Sequence, residues 1–269
     1  MDSNRKTSIG LLLIAVFLLM GFQLDAKQNA IPDLKVDFEG KFFELDNLGN
    51  LFIVGKDNSI SKYNERGKLI AKVNYKIYGD LAHIDASNPF EVYLHYRDQQ
   101  RLVVLDNMLS IRGEINLSEI SNVEINAVCR SYDNGFWCFD GGSALLVKYS
   151  KDLRRERESP SAALWTNEEW QPHKIYEDGK NVYVLDSTLG IAIFDVFGQF
   201  KTHVRIKGLK EVQPFKGGLI YVRDNCLLNY DHVLFETDTI YCHDAMQNLK
   251  WDRNRILIAE KGKIVSRAY

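Results

Sequence analysis

This sequence predicts an all-β fold, a six-bladed β-propeller of four-stranded antiparallel blades, and three observations carry that reading. A strand-like apolar run, a polar turn, a second strand and then an aromatic residue or leucine return six times. The anchors Tyr63, Leu105, Tyr149, Phe194, Tyr230 and Tyr269 lie 42, 44, 45, 36 and 39 residues apart. A period near forty is that of propeller blades. Two copies, residues 50–64 and 181–195, match position for position. Glycine and asparagine gather at the turns, where positive φ is wanted, while β-branched and aromatic residues fill the strands.

The first repeat reads as four strands, Lys41–Asp46, Leu51–Val54, Ser59–Tyr63 and Lys68–Val73, joined by turns at 47–50 and 64–67. Its second strand is apolar on both faces, as a strand sandwiched between neighbouring blades should be. The same kind of strand recurs at Val92–Tyr96, Phe136–Phe139, Val182–Leu185, Leu219–Val222 and Ile256–Ala259. Fourth strands form the rim and are polar, as in Leu153–Glu158, where alternation is expected. The blades fall near 41–75, 81–117, 125–158, 172–207, 210–241 and 246–269, the last with only three strands. An unpaired edge there would be a liability that closed folds remove. The alternating segment 33–39 is therefore expected to pair with the strand near 263–269 and shut the ring.

Ahead of the repeats, Arg5 and Lys6 precede the uncharged run Ile9–Phe22, which exits at Ala26. That arrangement reads as a secretory signal peptide, residues 1–26, leaving 27–269 as one propeller domain. Fourteen apolar residues are short for a spanning helix, although Leu24 is large for a cleavage site and an uncleaved N-terminal anchor is the alternative. In an exported chain the four cysteines are candidate disulfides. Cys129 and Cys138 would lie opposite each other in a hairpin centred between Asp133 and Asn134, and Cys226 and Cys242 on neighbouring outer strands. Small buried hydrophobes are the other reading for all four. A formal charge of −2, with no long basic run, excludes nucleic acid as a partner on electrostatic grounds.

The phrase running from Asp46 through Val54 to Ile60–Leu69 resembles NHL-type blades and the wider six-bladed TolB-like propellers, most closely in blades one and four. Where NHL repeats usually carry an Arg-Ile pair, this chain has Ser59-Ile60 and Gly190-Ile191. The resemblance implies a fold shared by binding scaffolds, lactonases, lyases and peptidase accessory domains, so function must come from a site. It also directs attention to the channel mouth, where lactonase-like propellers hold a divalent cation through Glu, Asn and Asp. Here the heads of the innermost strands offer Phe42, His83, Asn126, His173, Glu211 and Gln247. One carboxylate and two amides are poor ligands for a hard cation, so no metal and no cofactor is expected. His83 and His173 would suit a transition metal only if they faced one another.

Nucleophile and zinc signatures are missing. Leu145 stands where a Gly-x-Ser-x-Gly elbow needs its last glycine, and no His-Glu-x-x-His or Cys-x-x-Cys occurs. In Cys242-His243-Asp244, consecutive strand residues point to opposite faces and converge poorly.

Residues 158–172 break the repeat and carry Trp165 and Trp170. With Leu164 they are candidate partner contacts, because tryptophan is enriched at interface hot spots. Alternatively a short helix after Thr166, with Thr166 and Glu169 as its capping box, lays all three on the ring. The sequence as a whole points to an exported, non-enzymatic scaffold that binds a protein or peptide of the bacterial cell envelope, in the periplasm or associated with the envelope. The alternative is a lactonase-like hydrolase or lyase at the channel mouth, with or without a metal, working through His83, His173 and Glu211.

Overall fold

The computed structural model describes residues 34–215, 218–232, 234–242, 248–252 and 255–268. Among these are twenty-four strands and no α-helix. A short strand, β1 (Lys35–Asp37), precedes blade one, which comprises β2 (Gly40–Leu45), β3 (Leu51–Gly55), β4 (Ser59–Tyr63) and β5 (Leu69–Asn74). Blade two comprises β6 (His83–Asp85), β7 (Val92–Tyr96), β8 (Arg101–Leu105) and β9 (Ile111–Asn116). Blade three comprises β10 (Ile125–Arg130), β11 (Phe136–Asp140), β12 (Leu145–Tyr149) and β13 (Arg155–Glu158). Blade four is β14 (Lys174–Glu177), β15 (Asn181–Asp186), β16 (Gly190–Asp195) and β17 (Phe200–Val204). Blade five is β18 (Gln213–Phe215), β19 (Gly218–Arg223), β20 (Cys226–Asp231) and β21 (Glu236–Cys242). Blade six is β22 (Asn248–Asp252), β23 (Arg255–Glu260) and β24 (Lys263–Ala268), and β1 is its outermost strand.

β1 runs antiparallel to β24 in the register Lys35 to Val265, Val36 to Ile264 and Asp37 to Lys263. Leu34 and Ser266 exchange two hydrogen bonds beside it, at 3.0 and 3.1 Å. The expected closure is thus the observed one. Each sheet packs face to face on the next, giving six apolar layers around the ring. The layer between blades six and one, for example, holds Leu34, Val36, Phe43, Leu51, Ile53, Leu257, Ala259 and Ile264. The strands β3, β7 and β15 are buried almost end to end, as their two-sided apolar sequences require. β13 is exposed at every position, rather than alternating, because it is the rim strand of its blade and no described residue buries it.

The repeat has a local cause. Asp46, Asn64, Asp106 and Asp195 each close a turn by accepting the amides two and four residues ahead, so one side chain organises a whole hairpin. The third residue after the Asx must be left-handed, which Gly49, Gly67 and Gly198 allow and Leu109 adopts at φ 65°.

The turn at 131–135 differs from the expected one. Asn134 is left-handed at φ 71° and Gly135 follows, so β10 and β11 pair Val128 with Cys138 and Cys129 with Trp137. This one-residue offset sends the two cysteines to opposite faces, Cys129 toward blade four and Cys138 toward blade two, and both are free thiols. Cys226 and Cys242 do stand opposite each other in the β20–β21 ladder and form a disulfide. The expected signal segment 1–26, Gln247, His243, Asp244 and Tyr269 lie outside the described residues.

Replacing Val36 by Asp would bury an unpaired carboxylate in the layer that closes the ring. Denaturant titration should show a loss of about 3 kcal/mol, while Lys35→Asp, one residue away and exposed, should stay within about 0.5 kcal/mol.

Candidate functional site

Four charged side chains from distant parts of the sequence meet in the channel. Glu44 comes from blade one, Lys174 from blade four, Glu211 from the lead-in to blade five and Lys250 from blade six. Lys250 Nζ donates to Glu44 and Glu211, each at 2.8 Å, and Lys174 Nζ donates to Glu211 at 2.9 Å and lies 3.6 Å from Glu44. In a ring of six, blades one and four stand opposite, so a 3.6 Å approach between their side chains means that the channel is bridged at this level. The two lysines are 7% and 5% exposed. Such buried charges persist only when each is fully compensated, and alternating signs around a square provide that.

The electrostatics follow from the contacts. Burial pushes the Glu211 carboxyl up, but Lys174 and Lys250 outweigh it and hold the group at about 2. Burial works against charge on Lys174 and Lys250 too, and Glu211 and Glu44 overcome it to raise both above the ordinary lysine value. His83, on blade two, is driven well below its ordinary value by burial and then by Lys174 and Lys250, so its imidazole is neutral at neutral pH. His173 is lowered by burial, opposed by its hydrogen bond to the Lys210 carbonyl.

Of the six side chains expected at the mouth, His83, His173 and Glu211 come to the quartet. Phe42 instead packs into the apolar layer between blades one and two. Asn126 sits at a bulge in β10, its amide over Gly141. Sequence reasoning missed Glu44, Lys174 and Lys250, although each directly adjoins apolar residues on an innermost strand, in Phe43-Glu44-Leu45, Lys174-Ile175 and Leu249-Lys250-Trp251. Among the described residues no group of three or more His, Cys, Asp or Glu is placed to hold a metal ion.

Beside the quartet lies a recess of 290 Å³, lined by Glu44, His83, Asp85, Arg130, Tyr176, Glu177, Asp178 and Lys250 among others. Several of these are the last residues of innermost strands, so the recess opens where those strands pass into their first turns. A second cavity of 410 Å³ lies along residues 207–213 and the inner half of blade five, with Glu211 and Lys250 in its wall.

The segment 158–172 contains a single 3-10 turn, Ala162–Leu164, and no helix after Thr166, whose hydroxyl accepts the Glu168 amide. Trp170 is 1% exposed and is therefore removed from the expected partner contacts, since no partner reaches it. Trp165 stacks on Phe200 at 4.5 Å and meets Trp170 edge-on at 5.2 Å, which makes it chiefly a packing residue. Leu164 is exposed.

No protein-family model and no curated protein sequence matches this chain. Solved structures match it in fold. A virginiamycin B lyase from Staphylococcus aureus superposes with a TM-score of 0.63 at 12% identity, over 88% of this chain and 99% of that one. A streptogramin B lyase gives 0.58 at 14% identity, over 83% and 77%. The Pan2 WD40 domain of Neurospora crassa gives 0.58 at 8% identity, over 90% and 76%. At these identities the likeness defines a β-propeller and nothing finer, and its spread over unlike proteins leaves function to the site.

Lys250→Met should cost about 3 kcal/mol in denaturant titration, because it leaves Glu44 and Glu211, both largely buried, to share Lys174 as their one remaining cation. Glu211 binds its proton less readily folded than unfolded, so its contribution is complete above its ordinary value of 4.5 and is lost as pH falls toward about 2. Thermal melts between pH 5 and 2 should show this acid limb, and Lys250→Met should flatten it. Trp170→Ala should cost about 3–5 kcal/mol, as expected for a buried aromatic removed from a core.

Proposed function

We propose that this protein is an exported, non-enzymatic propeller of the NHL-like kind, made with a signal peptide at 1–26, that binds a protein or peptide segment of the bacterial cell envelope. One observation carries the reading. The turns after first and third strands lie at the same end of every antiparallel blade, and there blades one to five display Leu48, Phe90, Met108, Tyr132, Phe197 and Phe235, each at least half exposed. The connections at the other end offer only Ile77, Val123 and Leu164 as exposed large apolar residues among those described. An apolar set concentrated on one face, rimmed by charge, is the mark of an interaction surface. A standard interface takes roughly 800 Å² from each partner, which suits a disc face.

The hydrolase or lyase reading ranks below this one because its carboxylate, Glu211, has its two oxygens held by Lys174 and Lys250. A carboxylate so engaged is a poor base and a poor metal ligand.

Phe90→Ser combined with Phe197→Ser leaves the layers between blades untouched, so the variant should melt within a few degrees of the wild type. In pull-downs from envelope extracts the wild type should retain a specific partner that the variant loses. Equal retention by the two proteins, or no specific partner for either, would count against this face.

A further inference from the structure

In the recess at the apolar face, acidic side chains outnumber basic ones. Asp85, Glu177 and Asp178 line it, and none is in ion-pair contact with another described residue, Lys174 acting on Asp85 only from farther off. Their hydrogen bonds come from neutral donors only. Asp85 accepts the amides of Ser87 and Arg130, Glu177 accepts the Tyr132 amide and the Trp137 indole, and Asp178 accepts the amides of Lys180 and Asn181 and the Tyr183 hydroxyl. The two lining cations are already committed. Arg130 is paired with Glu91 at 3.3 Å, and Lys250 with Glu44 and Glu211.

Two further groups in the same recess lack partners. His83 is 6% exposed, lines the cavity and makes no side-chain hydrogen bond to any described residue. The Tyr176 hydroxyl is buried and unbonded as well. Burial and the nearby lysines keep the imidazole neutral, so one ring nitrogen is a free acceptor and it adds no positive charge. Three unpaired carboxylates with a neutral acceptor and a phenol oxygen are complementary to a group that donates several hydrogen bonds and carries positive charge. The described residues offer no three-ligand metal geometry, which favours an organic cation.

We infer that the recess receives a lysine or arginine side chain from the partner, whose flanking apolar residues cover Phe90, Tyr132 and Phe197 on the surrounding face. This rests on the peptide-binding reading above and adds to it the chemistry of the central contact. A cation set among apolar residues is recognised by both parts together, the acidic recess giving selectivity and the apolar set area.

The test is a random 12-residue peptide display library selected on the purified protein, with the Phe90→Ser, Phe197→Ser variant as counter-selection. Enriched peptides should share a lysine or arginine between apolar residues. Replacing that residue by norleucine in a synthetic peptide should weaken binding by about ten- to a hundredfold in fluorescence anisotropy, the range for hydrogen bonds to charged groups. Asp178→Asn should weaken the cationic peptide and leave its norleucine counterpart unchanged. Because the norleucine comparison needs no change in the protein, poor folding of a variant does not obscure it. Enriched peptides without a shared cation, or equal binding of the norleucine peptide, overturn this inference and leave the peptide-binding reading in place. Failure of any peptide to enrich on the wild type over the counter-selected variant overturns both.

Discussion

Three residues carry the closure of this fold. Lys35, Val36 and Asp37 add the fourth strand to a blade whose other strands come from the far end of the sequence, and Val36 completes the apolar layer against blade one. Without that pairing β24 would present an open ladder, and the layer between blades six and one would lose part of its wall. Every other blade is built from contiguous hairpins and forms from local signals. The closing blade is the one that couples the chain's two ends, and so it converts a row of hairpins into a ring whose innermost strands face a common axis.

Closure also creates the charge square. Lys250 and Glu44 lie 206 residues apart in sequence and 2.8 Å apart in space. Desolvating four charges is costly, and such a device adds less to stability than a well-packed apolar plug would. What it does supply is exact matching: four blades must stand at fixed heights for each lysine to reach two carboxylates. Beside it lies the recess that opens toward the exposed apolar side chains and carries carboxylates without an ion-pair contact among the described residues.

Much of the architecture was legible because its causes are short-range. The Asx turns at Asp46, Asn64, Asp106 and Asp195 and the two-sided apolar strands announce hairpins within a dozen residues. Turn geometry finer than that was not legible. Whether the 131–135 hairpin centres on Asp133 or half a residue later depends on Asn134 adopting a left-handed conformation, and that half residue decides which face each cysteine takes. Trp165 and Trp170 were ambiguous for a related reason. An aromatic pair in an irregular segment fits a partner contact and a core equally well until Phe194, Phe200 and His203 of blade four are brought under it.

By itself, the sequence determined the blade count, the four-strand meander and the strand that completes the ring, since periodicity, patterning and turn chemistry are properties of neighbouring residues. Only the tertiary structure decided which charges meet. Glu44, Lys174 and Lys250 each look unremarkable in their own repeat, and their partnership with Glu211 arises from the rotation of one blade relative to the next about a shared axis. The free imidazole of His83 and the unpaired carboxylates near it were hidden for the same reason, because burial and compensation are set by what the ring places opposite a side chain.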